Sequence, residues 1–578
     1  MNHVRRISEM DRDRRGAILV LAAVFMTVML AFVAFAVDMS YMSLTKTHLQ
    51  AAADASALAG AMELSGTEAP ATVRENAMTA IRAVAALHRS GNQPTVSIET
   101  SDVTFGKMVW NSSSQSFSYN WGESNSPYNM VKVRADRDAV SGGADDRLPL
   151  LFAPVMGHTK ATIGAEAVAS FQPRDIMVVL DFSGSMNDDS CFGRIGTLGR
   201  TFIENNLLKM WQELGSPVYG NLTFAPQYAK LSGVAAAGTI PHIDVTYKRS
   251  SVTVASTLAI TQVRLQFSSG ASQIIPVSGG TTTATYAGTG SYANREIINC
   301  WVKSGTNASM SSGNYGELFA FTDANIKTAL GLNIAYPYSG GSWQEYVDTV
   351  QSSNNNISSA GYRDMYGYMT WLEYLQTVRY GASDTADLWK TSEQPIGLLK
   401  DGVDEFINYL TTIEAEDNVG LSIYTHSNSA GAILEHALSR NIDQVKTTTR
   451  HRQAGHYKSG TNISAGMKLA RDEIVARARP RAFRMMIVMT DGLPNEPSNA
   501  TQCVIDEANA ARAARIKILT ISLGVGADIS LMQQVADITG GIHFNVPGGA
   551  SIDTVREQLR EVFRQIASRR PLKLIKGS

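Results

Sequence analysis

Ile176-Met177-Val178-Val179-Leu180 is an unbroken apolar run that leads directly into Asp181-Phe182-Ser183-Gly184-Ser185-Met186. A run of this kind suits a parallel strand buried on both faces. A second run, Met485-Met486-Ile487-Val488-Met489-Thr490, ends in the same way at Asp491-Gly492. Between the two, Ser459-Gly460-Thr461-Asn462 precedes an amphipathic helix over about 463–478. Residues 419–424, 516–521 and 542–546 read as further core strands and 432–436 as an edge strand. Val555, Leu559, Val562, Phe563 and Ile566 form a helical stripe over 553–567. Strands alternating with helices predict a doubly wound α/β (Rossmann-like) sheet. Its ligand site belongs at the carboxyl ends of the strands, where Asp181 and Asp491 fall.

The ordered set D-x-S-x-S at 181–185, Thr461, and T-D-G at 490–492 resembles the metal-ion-dependent adhesion site of von Willebrand factor A (vWA) domains. The resemblance implies a metal held by Asp181, Ser183, Ser185, Thr461 and Asp491, the two aspartates acting partly through water. Hard oxygen donors of this kind suit Mg²⁺, with Mn²⁺ or Ca²⁺ as alternatives. Neutral hydroxyls as direct ligands leave the ion's charge incompletely offset and attractive to a carboxylate from a partner protein. No general base or nucleophile is implied, so the site reads as one for binding, not catalysis. The alternative is that the Ser and Thr residues are turn and cap residues. Asp188 and Asp189 match a second-site pattern seen in integrin β subunits and could hold another ion; a solvated acidic turn is the competing reading.

The first helix of such a domain is expected at 396–410, so about 205 residues (191–395) intervene after the metal loop. A structureless loop of that size inside a compact domain is implausible, and the segment must fold. From Pro217 to Met310 it carries only eight charged residues, with alternating apolar positions and Gly-containing turns, which predicts a β-sandwich over 191–312. From Gly313 to Lys390 fourteen residues are aromatic, and Tyr366, Trp371 and Tyr374 recur at helix-compatible intervals, which predicts a helical, aromatic-rich part over 313–395. Those rings could stack on a glycan or fill a core. Leaving from the metal loop, the insert is placed to shape or cover the metal site.

At the other end, Ala17 to Val37 is 21 residues without a charge. As a helix it is about 31 Å long, enough to cross a bilayer. Arg5, Arg6, Arg12, Arg14 and Arg15 precede it and should stay cytoplasmic, which exports the rest. Ala34-Phe35-Ala36 leaves signal-peptide cleavage as the alternative, but the apolar stretch exceeds a usual signal-peptide core. Arg15-Gly16-Ala17, Ala36-Val37-Asp38, Leu49-Gln50-Ala51-Ala52-Ala53-Asp54-Ala55 and Ala57-Leu58-Ala59-Gly60-Ala61 resemble the N-terminal region of TadG-type proteins of the tight-adherence (Flp) pilus apparatus. The likeness extends more weakly to Phe171. It implies a single-pass protein of the bacterial cytoplasmic (inner) membrane and Tad pilus components as partners.

The remaining composition narrows the function. Lys and Arg number 51 against 52 Asp and Glu, so no field exists to hold nucleic acid. Three cysteines exclude a disulfide-dense scaffold. Cys191 and Cys503 follow the two metal loops, and a bridge between them is expected as a possibility of an oxidising compartment. No hydrolase or phosphate-loop motif is present, and the chain reads as a non-enzyme. The expected plan is a basic tail (1–16), a transmembrane helix (17–37), a helical stalk (38–64), a β-rich neck (65–172), a vWA domain (173–190 and 396–570) split by the insert, and a tail (571–578). The expected function is metal-dependent partner binding in pilus assembly or surface adhesion. The alternatives are a structural envelope anchor with an inert metal site, and a glycan-binding or enzymatic insert.

Overall fold

In the computed structural model, which describes residues 4–65, 68–139, 143, 145–234, 242–304, 316–414, 416–425, 431–457, 459–547 and 552–575, strand Arg174–Asp181 is buried along its whole length. Ile176, Val178 and Leu180 enter one core and Met177 and Val179 another, as the two-residue period of a strand requires. Asn418–Tyr424 and Phe483–Thr490 flank it in parallel. Lys517–Leu523 and His543–Val546 extend the sheet in parallel, and Ala432–Ser439 closes the opposite edge antiparallel. Helices Ile396–Thr412, Asp443–Arg450 and Ile552–Ser568 cover the Ile176 side; Ile463–Arg477, Ala500–Ala513 and Ile529–Thr539 cover the Met177 side. This is the doubly wound sheet read from the sequence. The chain passes from the central strand toward one edge, then re-enters on its other side at Phe483–Thr490. The reversal puts a crevice beside Asp181.

A single helix, Val4–Met62, runs through the apolar span and beyond it. The side chains of the basic flank (Arg5, Arg6, Arg12, Arg14, Arg15), residues 1–3 and residues 576–578 lie outside the described residues. From residue 18 the helix is apolar on all sides, with a mean hydropathy of 2.9 and none of that stretch buried. Past Asp38 it changes character. Leu49, Ala52, Ala53, Ala57 and Ala61 are buried in a core shared with helix Pro70–Ala85 and strands Met130–Arg137 and Ile163–Phe171. The expected helical stalk is a helix, and its buried alanines form a small-residue face that lets the sheet approach closely. The neck is likewise not all β after residue 65, since it opens with Pro70–Ala85. Its five-stranded sheet takes its last strand, Leu572–Ile575, from the stretch expected to be a tail. Sequence reading missed this strand because four residues, Leu572-Lys573-Leu574-Ile575, carry too little pattern alone.

The insert contains two four-stranded antiparallel sheets, as its composition indicates. It differs from expectation in two ways. It opens with a helix, Arg200–Glu213, which buries Ile203, Leu207 and Met210 at helical spacing. The sandwich and the aromatic-rich part also share one core, in which Val263 and Phe267 join Trp343 and Trp371. Tyr346, Tyr366, Tyr368, Trp371 and Tyr374 are all buried. Their rings pack on one another, for example Tyr338 stacked on Trp371 with centroids 5.8 Å apart. The aromatic excess builds a core, and these rings present no face to a sugar.

The amino end of the central strand is bound by buried charge. Arg174 Nε and Nη2 donate to Asp417 Oδ2 (3.0 and 2.7 Å), and Arg570 Nη2 donates to Asp417 Oδ1 (3.3 Å). Arg479 Nε donates to Asp175 Oδ1 (2.8 Å), and its Nη1 to the Glu416 carbonyl (2.8 Å). Burial alone would raise the Asp417 carboxyl, but Arg174 and Arg570 outweigh it and hold it at about 2. The sign of the pH effect follows. This contribution to stability is complete above the unfolded carboxylate's pKa near 4 and is lost as pH falls through about 2. Asp417→Asn should lower the melting temperature of the detergent-solubilised chain at pH 7, a cost of about 3–5 kcal/mol for breaking a buried pair. It should also flatten the acid limb between about pH 4 and 2. A melting curve unchanged at pH 7 would remove the pair from any structural role.

Candidate metal centre

At the carboxyl edge of the sheet Asp181 and Asp491 end two adjacent strands, and both are buried. The turn after Asp181 is tied back to it: the Ser183 N–H donates to Asp181 Oδ1 (2.9 Å). Thr490 Oγ1 donates to Asp181 Oδ2 (2.9 Å). Ser183 Oγ and Ser185 Oγ lie 3.0 Å apart, and Ser185 Oγ donates to Asp491 Oδ1 (2.9 Å). One hydrogen-bonded chain thus joins Asp181, Ser183, Ser185 and Asp491. The third loop lies against this turn, with the Gly184 N–H donating to the Ser459 carbonyl (3.2 Å). A Cβ on Gly184 would come within 3.1 Å of the Ser459 Cβ, so the approach suits glycine. Thr461, two residues on, is buried and held by its backbone, its N–H donating to Asn495 Oδ1 (2.8 Å).

The electrostatics of this cluster are one-sided. Burial pushes the Asp181 carboxyl up against the hydrogen bonds from Ser183 and Thr490. Burial, then the charge of Asp181, pushes Asp491 well above the usual carboxylate range. Among the described residues no ion pair reaches either carboxylate. Nor does any group of three His, Cys, Asp or Glu side chains converge to hold a metal. Any ion here would rest on hydroxyl oxygens together with these two aspartates. Two buried carboxylates with hydroxyl neighbours and no ion-paired cation among the described residues fit a hard divalent ion.

Asp188 and Asp189 stand differently. Arg194 reaches both, at 3.5 Å from Asp188 Oδ2 and 3.9 Å from Asp189 Oδ1. Burial still pushes Asp189 up to about 6 against that guanidinium. Arg194 thus gives these two carboxylates a cationic neighbour, unlike Asp181 and Asp491. The expected Cys191–Cys503 bridge is not formed, since all three cysteines are free. Cys191 turns inward beneath the insert, where its buried Sγ donates to the Asn187 carbonyl (3.4 Å). Cys503 instead lies on helix Ala500–Ala513, on the Met177 side of the sheet.

Sequence reasoning overlooked the hydroxyl of Thr490 as the support of Asp181. It also overlooked Tyr424, whose hydroxyl donates to the Met489 carbonyl (2.6 Å) under the site, and Arg194. The T-D-G triplet carried the signal for Thr490; Tyr424 and Arg194 have no motif of their own. The insert was correctly placed next to the metal loop, and the contacts are direct. Asn187 Nδ2 donates to the Gln376 carbonyl (3.0 Å), the Phe192 N–H to Glu373 Oε2 (2.8 Å) and the Gln394 N–H to Ser190 Oγ (2.6 Å).

Uncompensated charge gives a sharp expectation. In EDTA, Asp491→Asn should melt at or above the wild-type temperature, because it relieves repulsion with Asp181. With Mg²⁺ at about 100 times its Kd, wild type should gain roughly 2.7 kcal/mol and Asp491→Asn almost nothing. Equal Mg²⁺ stabilisation of both proteins would show that the ion binds elsewhere.

Comparison with known proteins agrees with this architecture. Residues 16–63 match the TadE/G-like Flp pilus-assembly family, and residues 59–169 match a Tad-like Flp pilus-assembly family. Residues 389–558 match the von Willebrand factor type A domain. That match begins at residue 389, in the last residues of the insert, so the strand bearing Asp181 joins the domain only through the tertiary structure. No curated protein matches the chain. Among solved structures, an aerotolerance-related membrane protein from Bacteroides fragilis NCTC 9343 with multiple mutations to serines is 14% identical, covering 30% of this chain and 90% of its own, at TM-score 0.24. BatB, a conserved hypothetical protein from Bacteroides thetaiotaomicron, is 17% identical over 30% of this chain and 87% of its own, at TM-score 0.23. The manganese-loaded TRAP protein of Plasmodium vivax is 13% identical over 31% of this chain and 67% of its own, at TM-score 0.22. In its membrane-proximal region and its A domain, the chain matches a TadG-like Flp pilus-assembly protein with a von Willebrand factor A domain.

Proposed function

We propose that the chain is a membrane-anchored binding protein that engages a protein partner through a Mg²⁺ ion at this site, in assembly of a Flp-type pilus or in adhesion. The observation that carries the reading is the pair of buried carboxylates, Asp181 and Asp491, linked through Ser183 and Ser185 without a cationic partner. Those four residues with Thr461 would hold the ion. When bound, Mg²⁺ supplies an electrophilic position for a carboxylate oxygen of the partner.

The residues around the site support a protein partner. Leu493 follows Asp491 by two residues and is exposed, as is Val525. Val525 sits between Gly524, which lies against Asp189, and Gly526, which lies against the Asp491 carbonyl. Exposed apolar side chains beside a charged centre are the composition of a protein-binding surface, not of a small-ion store. The helix Tyr368–Thr377 of the insert holds the turn from the other side through Gln376, whose carbonyl accepts from Asn187 Nδ2. The insert thereby stiffens the loop that carries Ser183 and Ser185, a form of preorganisation.

Capture of partners by the full-length protein from envelope extract tests the reading. Binding should be lost in EDTA, restored by Mg²⁺ and absent in Asp181→Ala. Leu493→Ser should weaken capture about tenfold, as loss of a buried apolar contact of about 1.4 kcal/mol implies, while leaving Mg²⁺ stabilisation intact. Undiminished capture and pilus display by Asp181→Ala would favour the envelope-anchor role with an inert site.

A further inference from the structure

Asp38 is the first charged residue after the apolar span, and its side chain is spent on a distant loop. Its Oδ1 accepts the N–H of Leu151 (2.8 Å), and its Oδ2 accepts those of Phe152 (3.0 Å) and Ala153 (2.6 Å). The carboxylate thus caps the 3₁₀ turn Ala153–Met156. The side chains that this turn directs outward are apolar and bare: Leu151 is 63%, Phe152 46%, Val155 92% and Met156 77% exposed. No Asp, Glu, Lys or Arg occurs between Leu148 and Thr159.

The N–H groups of Leu150, Leu151, Phe152, Ala153, Val155, Gly157 and His158 all find acceptors within the protein. The Leu150 N–H donates to the Thr159 carbonyl, Val155 to Phe152, Gly157 to Pro154 and His158 to Ala153. Pro154 has no N–H, and Asp38 takes three more. A peptide segment that enters lipid needs such internal pairing, because no water is there to accept a free N–H. A turn in water has no such need.

We propose that the turn 151–156 is a second membrane contact, which lays Leu151, Phe152, Val155 and Met156 into the lipid interface beside the point where the helix emerges. The occupant is lipid because the turn is hydrogen-bonded to the residue at which the span ends. That bond places it at the depth of the bilayer boundary, continuous with the exposed apolar side chains of the helix. One helix alone leaves the neck free to rotate and tilt on the membrane. A second, interfacial contact would set the direction in which the A domain faces. The proposal rests on reading 17–37 as the membrane span.

The full-length protein in vesicles of phosphatidylcholine and phosphatidylglycerol tests it. In a Cys503→Ser background, an NBD fluorophore is placed in turn at Val155→Cys, at Phe25→Cys in the span and at Ser269→Cys on the exposed turn of the insert. The labels at 155 and 25 should show blue-shifted emission, quenching by doxyl lipids and resistance to iodide; the label at 269 should show the reverse. Asp38→Ala should reduce lipid quenching at 155 and leave it unchanged at 25. If the label at 155 behaves like that at 269 while 25 is quenched by lipid, the second contact is overturned and the anchor stands. If 25 also escapes lipid quenching, the anchor itself is refuted. A label at 155 shielded from both iodide and doxyl would mean that protein covers the turn, which also overturns the proposal.

Discussion

Charge at the two ends of one fully buried strand is the constraint around which this molecule is organised. Arg174–Asp181 runs through the centre of the A domain with apolar cores on both faces, so an ionised group at either end must find its partner locally or remain costly. At the amino end the solution is internal. Arg174, Arg479 and Arg570 meet Asp175 and Asp417, and Arg479 and Arg570 each bring a remote segment to the strand. At the carboxyl end the opposite holds. Asp181 and Asp491 are brought together with only hydroxyls between them. One end of the strand is neutralised by folding, and the other keeps two buried carboxylates that no ion pair reaches among the described residues.

The finished end is also a joint. Arg570 stands between helix Ile552–Ser568 and strand Leu572–Ile575, and its guanidinium lies over the Phe171 ring, 4.8 Å from the centroid. The Trp110 N–H donates to Glu416 Oε2 (3.1 Å), bringing the neck sheet onto the same corner. The neck sheet therefore takes strands from both sides of the A domain in the chain, Ile163–Phe171 before it and Leu572–Ile575 after it. Two covalent connections and a shared buried ion-pair network resist hinging far better than one linker would.

The A domain and its neighbours were legible in proportion to how local their signals are. Ile176–Leu180 announces a two-faced buried strand because five consecutive apolar residues have no other economical explanation, and Asp181 and Asp491 announce a site because each ends such a run. The alanine-rich stretch after Asp38 was read correctly as helix but not as core. Burial of a small-residue face depends on what packs against it, and Ala is compatible with both solvent and core. Helix Arg200–Glu213 escaped because its apolar spacing is diluted by polar residues, and the composition beyond Pro217 dominated the reading of the segment.

The long apolar helix, the strand ends and the oxygen-bearing residues at them are legible from the chain alone, since each follows from periodicity or composition within about twenty residues. Which groups neutralise one another is settled in three dimensions. Arg194 faces Asp188 and Asp189, Asp417 gathers two arginines from distant segments, Cys191 stays a free buried thiol, and Asp38 caps a turn over a hundred residues away. The physical reason is the range of the interactions. Hydrophobic patterning is written along the chain, whereas hydrogen bonds and ion pairs act over a few ångströms in space between residues whose separation in sequence carries no trace of their meeting.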